Sequence, residues 1–254
     1  MQNRCKKCNR PLTQSSDKGT GRANAGAASA TAITPTEVAR RYKTEYSRAS
    51  SDPMNNSIES IRELCELIMT PKVTSKVIVD ATIRLIFRQF HIKEVSIGLR
   101  SAADGRYRYA AMQGMRANVW TEHIGLSYAV ESFSDNKTYK GNQISKYTKL
   151  LLAEDEPYDE GEKKTYSEHL MLVSARNAYD DSIEGDYLDI LVFGPENQIL
   201  GWIEISGTWD GKLPNPKTIM TLEVVAILLG IALSRDPAIA GPEPLGSDQP
   251  SKKK

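Results

Sequence analysis

Tyr187-Leu-Asp-Ile-Leu-Val-Phe193 and Ile199-Leu-Gly-Trp-Ile-Glu-Ile-Ser206 flank the turn Gly194-Pro-Glu-Asn197. Both runs are rich in β-branched and aromatic residues, and Gly and Pro punctuate the gap, so the pair reads as an antiparallel hairpin. Strand parity places Ile199, Gly201, Ile203 and Ile205 on one face and Leu200, Trp202, Glu204 and Ser206 on the other. Asp210-Gly211 then breaks the chain. Asn215-Pro216 supplies a helix N-cap followed by Pro at the first helical position. From Lys217 to Arg235 the sequence predicts a helix, apolar on most of its surface. Such a helix must be buried, or must bury one face in a partner.

Upstream, Ser57 reads as the N-cap of a helix that carries Ile58, Ile61, Leu64, Cys65 and Ile68 on one face and stops at Thr70-Pro71. On that apolar face Cys65 is expected to be a small core residue rather than a reactive thiol. Thr74 to Phe90 predicts a second amphipathic helix through Val77, Ile78, Ala81, Leu85, Ile86 and Phe87. A strand at Glu94–Arg100, a turn at Ala103-Asp-Gly105 and a return strand at Arg106–Gly114 follow.

Strand, turn, a strand carrying Leu200-Gly201-Trp202-Ile203-Glu204-Ile205, a short linker and the apolar helix around Leu222–Leu233 resemble the C-terminal half of a GAF domain. A helix followed by a hairpin that ends at Gly114 is similar to the way such domains begin, and the resemblance reaches back, more weakly, to about Ser57. It implies an α/β (α+β) fold over residues 54–235: a central antiparallel sheet, the leading and closing helices on one face, and variable elements over the other. It carries no catalytic residue.

Met115–Gly185 departs most from the family and must supply the cover of the free sheet face. Tyr147–Ala153 is apolar, residues 167–179 read as a strand or mixed segment, and the acidic run Glu154–Glu162 reads as a solvated loop. The cover, with Tyr109 and Trp202 from the strands, makes Trp120, His123, Tyr128, Tyr147, His169 and Glu204 the candidate ligand residues. Apolar walls with a few polar tips suit a small-ligand site; the same aromatics also suit a filled core. Trp202 and Glu204 share a face, so a carboxylate beside the indole needs a partner or favours a cationic or hydrogen-bond-donating ligand.

The ends read differently. Cys5-Lys-Lys-Cys8 is a CxxC knuckle that matches half of a zinc ribbon; without a second pair it reads equally as a tail with two free thiols. If it binds Zn²⁺, a second copy of the chain is the nearest source of two further ligands. Ser15–Thr34 is small and polar, a flexible linker, with a marginal helix at Thr34–Tyr46. Residues 236–254 read as a disordered tail.

A chain of 254 residues holds one or two domains. A net charge of +1 gives no reason to expect a nucleic-acid or membrane-surface partner. No run of about 18–20 apolar residues and no signal-peptide pattern is seen, so a cytoplasmic protein is expected. No GxSxG, phosphate-cradling glycine loop or HExxH is present. The chain also lacks what several GAF activities need: a cysteine placed for covalent bilin attachment, the several cysteines of free-methionine-sulfoxide reductases, and the cyclic-nucleotide motif. Haem would rest on His123 or His169 alone and is not favoured. The expected function is a regulatory or sensory module, not an enzyme, that binds a small molecule or a signalling protein partner and forms a homodimer. The alternatives are a structural adaptor without a small ligand and an enzyme using the same pocket.

Overall fold

The computed structural model describes residues 35–50, 56–134, 139–156, 158, 161–166 and 175–241. Cys5, Cys8 and His169 lie outside the described residues, as do the predicted linker and the chain after residue 241. The chain divides into two compact units, residues 1–47 and 48–254. The described part of the first lies within α1 (Pro35–Ser50), a helix longer than the sequence predicts. Val38, Tyr42 and Tyr46, four apart, are all exposed on it, and Arg41 pairs with Glu45 one turn on.

The second unit runs α2 (Asn56–Met69), α3 (Ser75–Gln89), β1 (Val95–Arg100), β2 (Tyr107–Gln113), α4 (Ala117–His123), α5 (Glu131–Ser134), β3 (Asn142–Gln143), β4 (Thr148–Leu151), β5 (Tyr187–Phe193), β6 (Ile199–Ile205), α6 (Pro216–Leu233) and α7 (Pro237–Ala240). Caps explain where the helices start. Thr74 accepts a hydrogen bond from the Val77 amide at the start of α3, and Asn215 accepts one from the Thr218 amide at the start of α6, with Pro216 in the first turn. α2 begins at Asn56, so Ser57 lies inside its first turn instead of capping it.

Among the described residues, six strands form one antiparallel sheet in the order β2-β1-β6-β5-β4-β3. Two irregularities correct the simple parity. Val192 pairs with Gly201 and Phe193 with Ile199, so Leu200 bulges and turns into the helix-side core while Ile199 packs on the opposite side. A second shift falls between Ile97 and Gly98, opposite Ala110. From Gly201 onward the predicted alternation holds: Ile203 and Ile205 join the helix-side core and Trp202 the other.

Helices α2, α3 and α6 cover one face. Ile86, Ile97, Ile190, Ile203, Leu222 and Leu229 are fully buried between the layers. α6 is long and apolar enough to cross a membrane by length and composition, which the sequence reading did not anticipate. Its Leu222, Val225, Ala226, Leu229 and Leu233 are buried in the core. Ordered structure also reaches further than predicted at the C-terminal end. Ile239 in α7 is buried, and the Arg100 guanidinium donates to the carbonyls of Ile239 (2.9 Å) and Gly241 (2.8 Å). The sheet with its leading and closing helices on one face and the middle of the chain on the other is the GAF-like α+β arrangement that the resemblance implies.

Candidate functional site

The sheet face away from the helices carries a polar row. Register places Met112, Ser96, Glu204, Asp189, Lys149 and Gln143 side by side across β2, β1, β6, β5, β4 and β3. The adjacent row is Tyr109, Gly98, Trp202 and Leu191. Two neighbouring strands therefore present Glu204 and Asp189 directly beside each other, an arrangement that is unfavourable when both carry charge.

The cover is built from α4, α5, the 3₁₀ turn Glu162–Thr165 and the segments around Tyr128, Tyr139 and Tyr158. Tyr128 is fixed by pairing with the edge of β2: its amide donates to the Tyr107 carbonyl (2.9 Å) and the Tyr107 amide donates back (3.0 Å). Trp202, only 1 % exposed, lies at the centre. Its ring centroid is 5.0 Å from Tyr109, 5.5 Å from Tyr128 and 5.1 Å from Phe133. The contacts with Tyr109 and Tyr128 are edge-to-face and that with Phe133 is tilted; an edge-to-face pair contributes about 0.5–1.5 kcal/mol beyond the burial itself.

Hydrogen bonds hold the polar groups among these rings. The Tyr109 hydroxyl donates to Glu204 Oε2 and the Tyr128 hydroxyl to Glu162 Oε1, each at 2.8 Å. Burial, then the nearby carboxylates, push both phenols well above the usual tyrosine range, so they stay protonated and remain donors. Lys149 Nζ donates to the Tyr139 carbonyl at 2.8 Å. His123 is buried, and its Nδ1 donates to the Val119 carbonyl at 3.0 Å. Glu162 and Glu204 are each 8 % exposed. Asp189 keeps part of its surface at solvent, but its Oδ1 is sealed and accepts no hydrogen bond; the buried Ser96 Oγ is also without a partner. Burial, then the charges of Glu204 and Glu162, raise the Asp189 carboxyl far above its ordinary range, with Lys149 opposing.

Two cavities share Glu204 and Tyr187 as wall residues. The larger, about 110 Å³, lies under His123, Tyr166 and the Ile183–Tyr187 segment, with Lys93 and Arg116 also on its wall. The smaller, about 20 Å³, is lined by Tyr109, Tyr128, Trp202 and the carboxylates Glu162, Asp189 and Glu204. Among the described residues, no three His, Cys, Asp or Glu side chains are grouped so as to hold a metal ion.

Of the residues expected from sequence, Tyr109, His123, Tyr128, Trp202 and Glu204 come together here. Trp120 packs beside them, its ring 6.2 Å from Tyr109. Tyr147 does not join them: it packs on the helix-side core, 5.6 Å from the Phe193 ring. Cys65 is a partly buried free thiol on α2, less enclosed than a core position. Glu162, the end of the run read as a solvated loop, is instead buried beneath Tyr128. Asp189 was also missed. Its signal was available: it is the one charged residue inside the apolar run Tyr187–Phe193.

No family model matches the sequence, and no curated protein matches it. Among solved structures, the chain is similar to the GAF domain of a phosphoenolpyruvate-protein phosphotransferase from Acinetobacter (12 % identity, 73 % of this chain, 96 % of that chain, TM-score 0.45). It is also similar to a GAF domain/HD domain protein from Geobacter sulfurreducens (10 % identity, 65 % of this chain, 96 % of that chain, TM-score 0.47). A third similar structure is the nlh2 GAF domain of A. aeolicus (10 % identity, 72 % of this chain, 99 % of that chain, TM-score 0.46).

Proposed function

We propose that the chain is a regulatory module that senses a small molecule in the chamber between the sheet and its aromatic cover. In this reading it acts in the cytoplasm as a homodimer and passes the signal to a protein partner. The observation that carries the reading is the pair of cavities at Glu204. Here carboxylates and phenols sit on a sheet face where a purely structural core would place apolar side chains. A buried carboxylate is costly unless something repeatedly compensates it, and a ligand does so.

A structural adaptor is the second reading, and the close packing around Trp202 favours it, because the rings fill most of the space. A thermal-shift screen of small metabolites against the full chain separates the two. The sensing reading expects a stabilising compound whose effect shrinks in Trp202→Phe and in His123→Ala. If no compound stabilises the protein, or if both variants respond as the wild type does, the chamber is a core and the adaptor reading holds.

A further inference from the structure

We infer that the paired cavities at Glu204 form a site for a small primary amine, with its ammonium group among Asp189, Glu204 and Glu162 and its body in the larger cavity. The inference rests on reading the chamber as a ligand site and adds the class of ligand. Charge comes first. The smaller cavity is bounded by three carboxylates, and among the described residues no lysine or arginine lines it. Lys149, the cation whose field reaches Asp189, gives a hydrogen bond to the Tyr139 carbonyl.

Hydrogen bonding narrows the class. Tyr109 gives Glu204 one hydrogen bond, and a carboxylate has room for about four. Asp189 Oδ1 has none and is closed to solvent. The missing groups are donors, so a cation with several N–H bonds fits and a quaternary ammonium does not. Size narrows it again. About 20 Å³ holds one water-sized group, which admits an ammonium and excludes a guanidinium. The grouping does not suit a metal ion. Tyr109, Tyr128 and Trp202 supply aromatic walls around this point, and a desolvated cation is stabilised wherever it meets a ring face. The larger cavity, about 110 Å³, shares the wall residues Glu204 and Tyr187 with the smaller one, and it is the space assigned to the chain of atoms behind the ammonium.

The experiment uses the full chain, n-butylamine as probe, 1-butanol as its neutral counterpart and tetramethylammonium as a cation without donors. Calorimetry and thermal shift are run at constant ionic strength. The expected result is saturable binding of one n-butylamine per chain, at least tenfold tighter than 1-butanol or tetramethylammonium. Asp189→Asn and Glu204→Gln, which keep side-chain shape, should each weaken the amine at least tenfold. Nuclear Overhauser contacts in the wild type, from the amine methylenes to the Trp202 and Tyr128 rings, test the placement without any variant. Equal binding of 1-butanol, undiminished binding in both variants, or the absence of those contacts overturns the amine assignment.

The failure of this inference is distinguishable from failure of the sensing reading. A neutral or anionic metabolite that stabilises the protein through Trp202, while amines do not, overturns the ligand class and leaves the chamber a ligand site. Silence from every charge class overturns both. Ammonium chloride acting as well as n-butylamine would show a site for the bare ion and refute the role given to the larger cavity.

Discussion

The Trp202 indole lies against Gly98 across the β1–β6 pair, so closely that a Cβ added at Gly98 would stand 1.9 Å from Cη2 and Cζ3 of the ring. The absence of a side chain on β1 is what lets the indole lie down on the sheet and act as the floor of the chamber. Gly98→Ala should therefore destabilise the domain by about 1–3 kcal/mol, the usual cost of overpacking. The two positions should also couple, and Gly98→Ala in a Trp202→Leu background should cost less than in the wild type. Urea denaturation of the four proteins measures this. Simple additivity would mean that the ring can move aside without loss.

Asp189 gives the fold a pH dependence of known sign. Its carboxyl is raised in the folded chain, first by burial and then by Glu204 on β6 and Glu162 in the 3₁₀ turn, while Lys149 on β4 opposes. Unfolded, an aspartate titrates near ~3.9. The folded chain thus holds the proton longer. The stability associated with protonated Asp189 is fully present below about pH 4 and is lost as pH rises through the raised pKa. Asp189→Asn removes the titration. In amine-free buffer at pH 7.5 the variant should be more stable than the wild type, by about 1–3 kcal/mol, the usual scale for a buried group left unsatisfied. The difference should close toward pH 4. Parallel stability curves over that range would show that Asp189 stays charged and compensated.

The hairpin, the capped helix after Asn215 and the early helix–hairpin were legible because their signals are local: β-branched runs, turn glycines, an N-cap with Pro behind it. The Leu200 bulge was not, since parity assumes that each residue advances the register, and the skip is visible only when Phe193 finds Ile199. The site was half legible. Trp202 and Glu204 follow from alternation along one strand. Glu162 could not be found that way: an acidic run reads as solvated, and only the fold tucks its last residue under Tyr128. Tyr147 erred in the opposite sense, because the segment expected to cover the sheet instead joins it beside β5 and turns that ring toward α6 and Phe193.

Arg100 ties the last described turn to the sheet. Its side chain, 2 % exposed, bonds the carbonyls of Ile239 and Gly241, and the Ala102 amide donates to the Ala238 carbonyl at 2.8 Å. Hydrogen bonds to a charged donor are worth about 1.5–3 kcal/mol. Arg100→Met should release α7 and lower stability by roughly that amount. Hydrogen exchange should then speed up at the amides of Ile239, Ala240 and Gly241, with little change in β5. Unaltered protection of α7 would show that packing of Ile239 alone holds it.

The homodimer is the proposal with the most surface behind it. On α6 the side chains of Met220, Val224, Ile227 and Ile231 are exposed, spaced four, three and four residues apart. That is the spacing of an a/d seam, which packs best against another helix of the same kind. On α2, Ile58 and Met69 are also exposed. A contiguous apolar stripe on a helix whose opposite side already fills the core is unusual for a free surface, and a two-fold partner presents the same stripe to itself. Sedimentation equilibrium at tens of micromolar should therefore show a dimer. Val224→Lys with Ile227→Lys places two charges per chain at the centre of the seam and should raise the dissociation constant more than tenfold, at least about 1.4 kcal/mol. These positions are on the exposed side and lysine is a good helix former, so the helical circular dichroism of the variant should match the wild type. A wild-type chain that sediments as a monomer, or a doubly substituted one that still sediments as a dimer, would remove α6 from the interface.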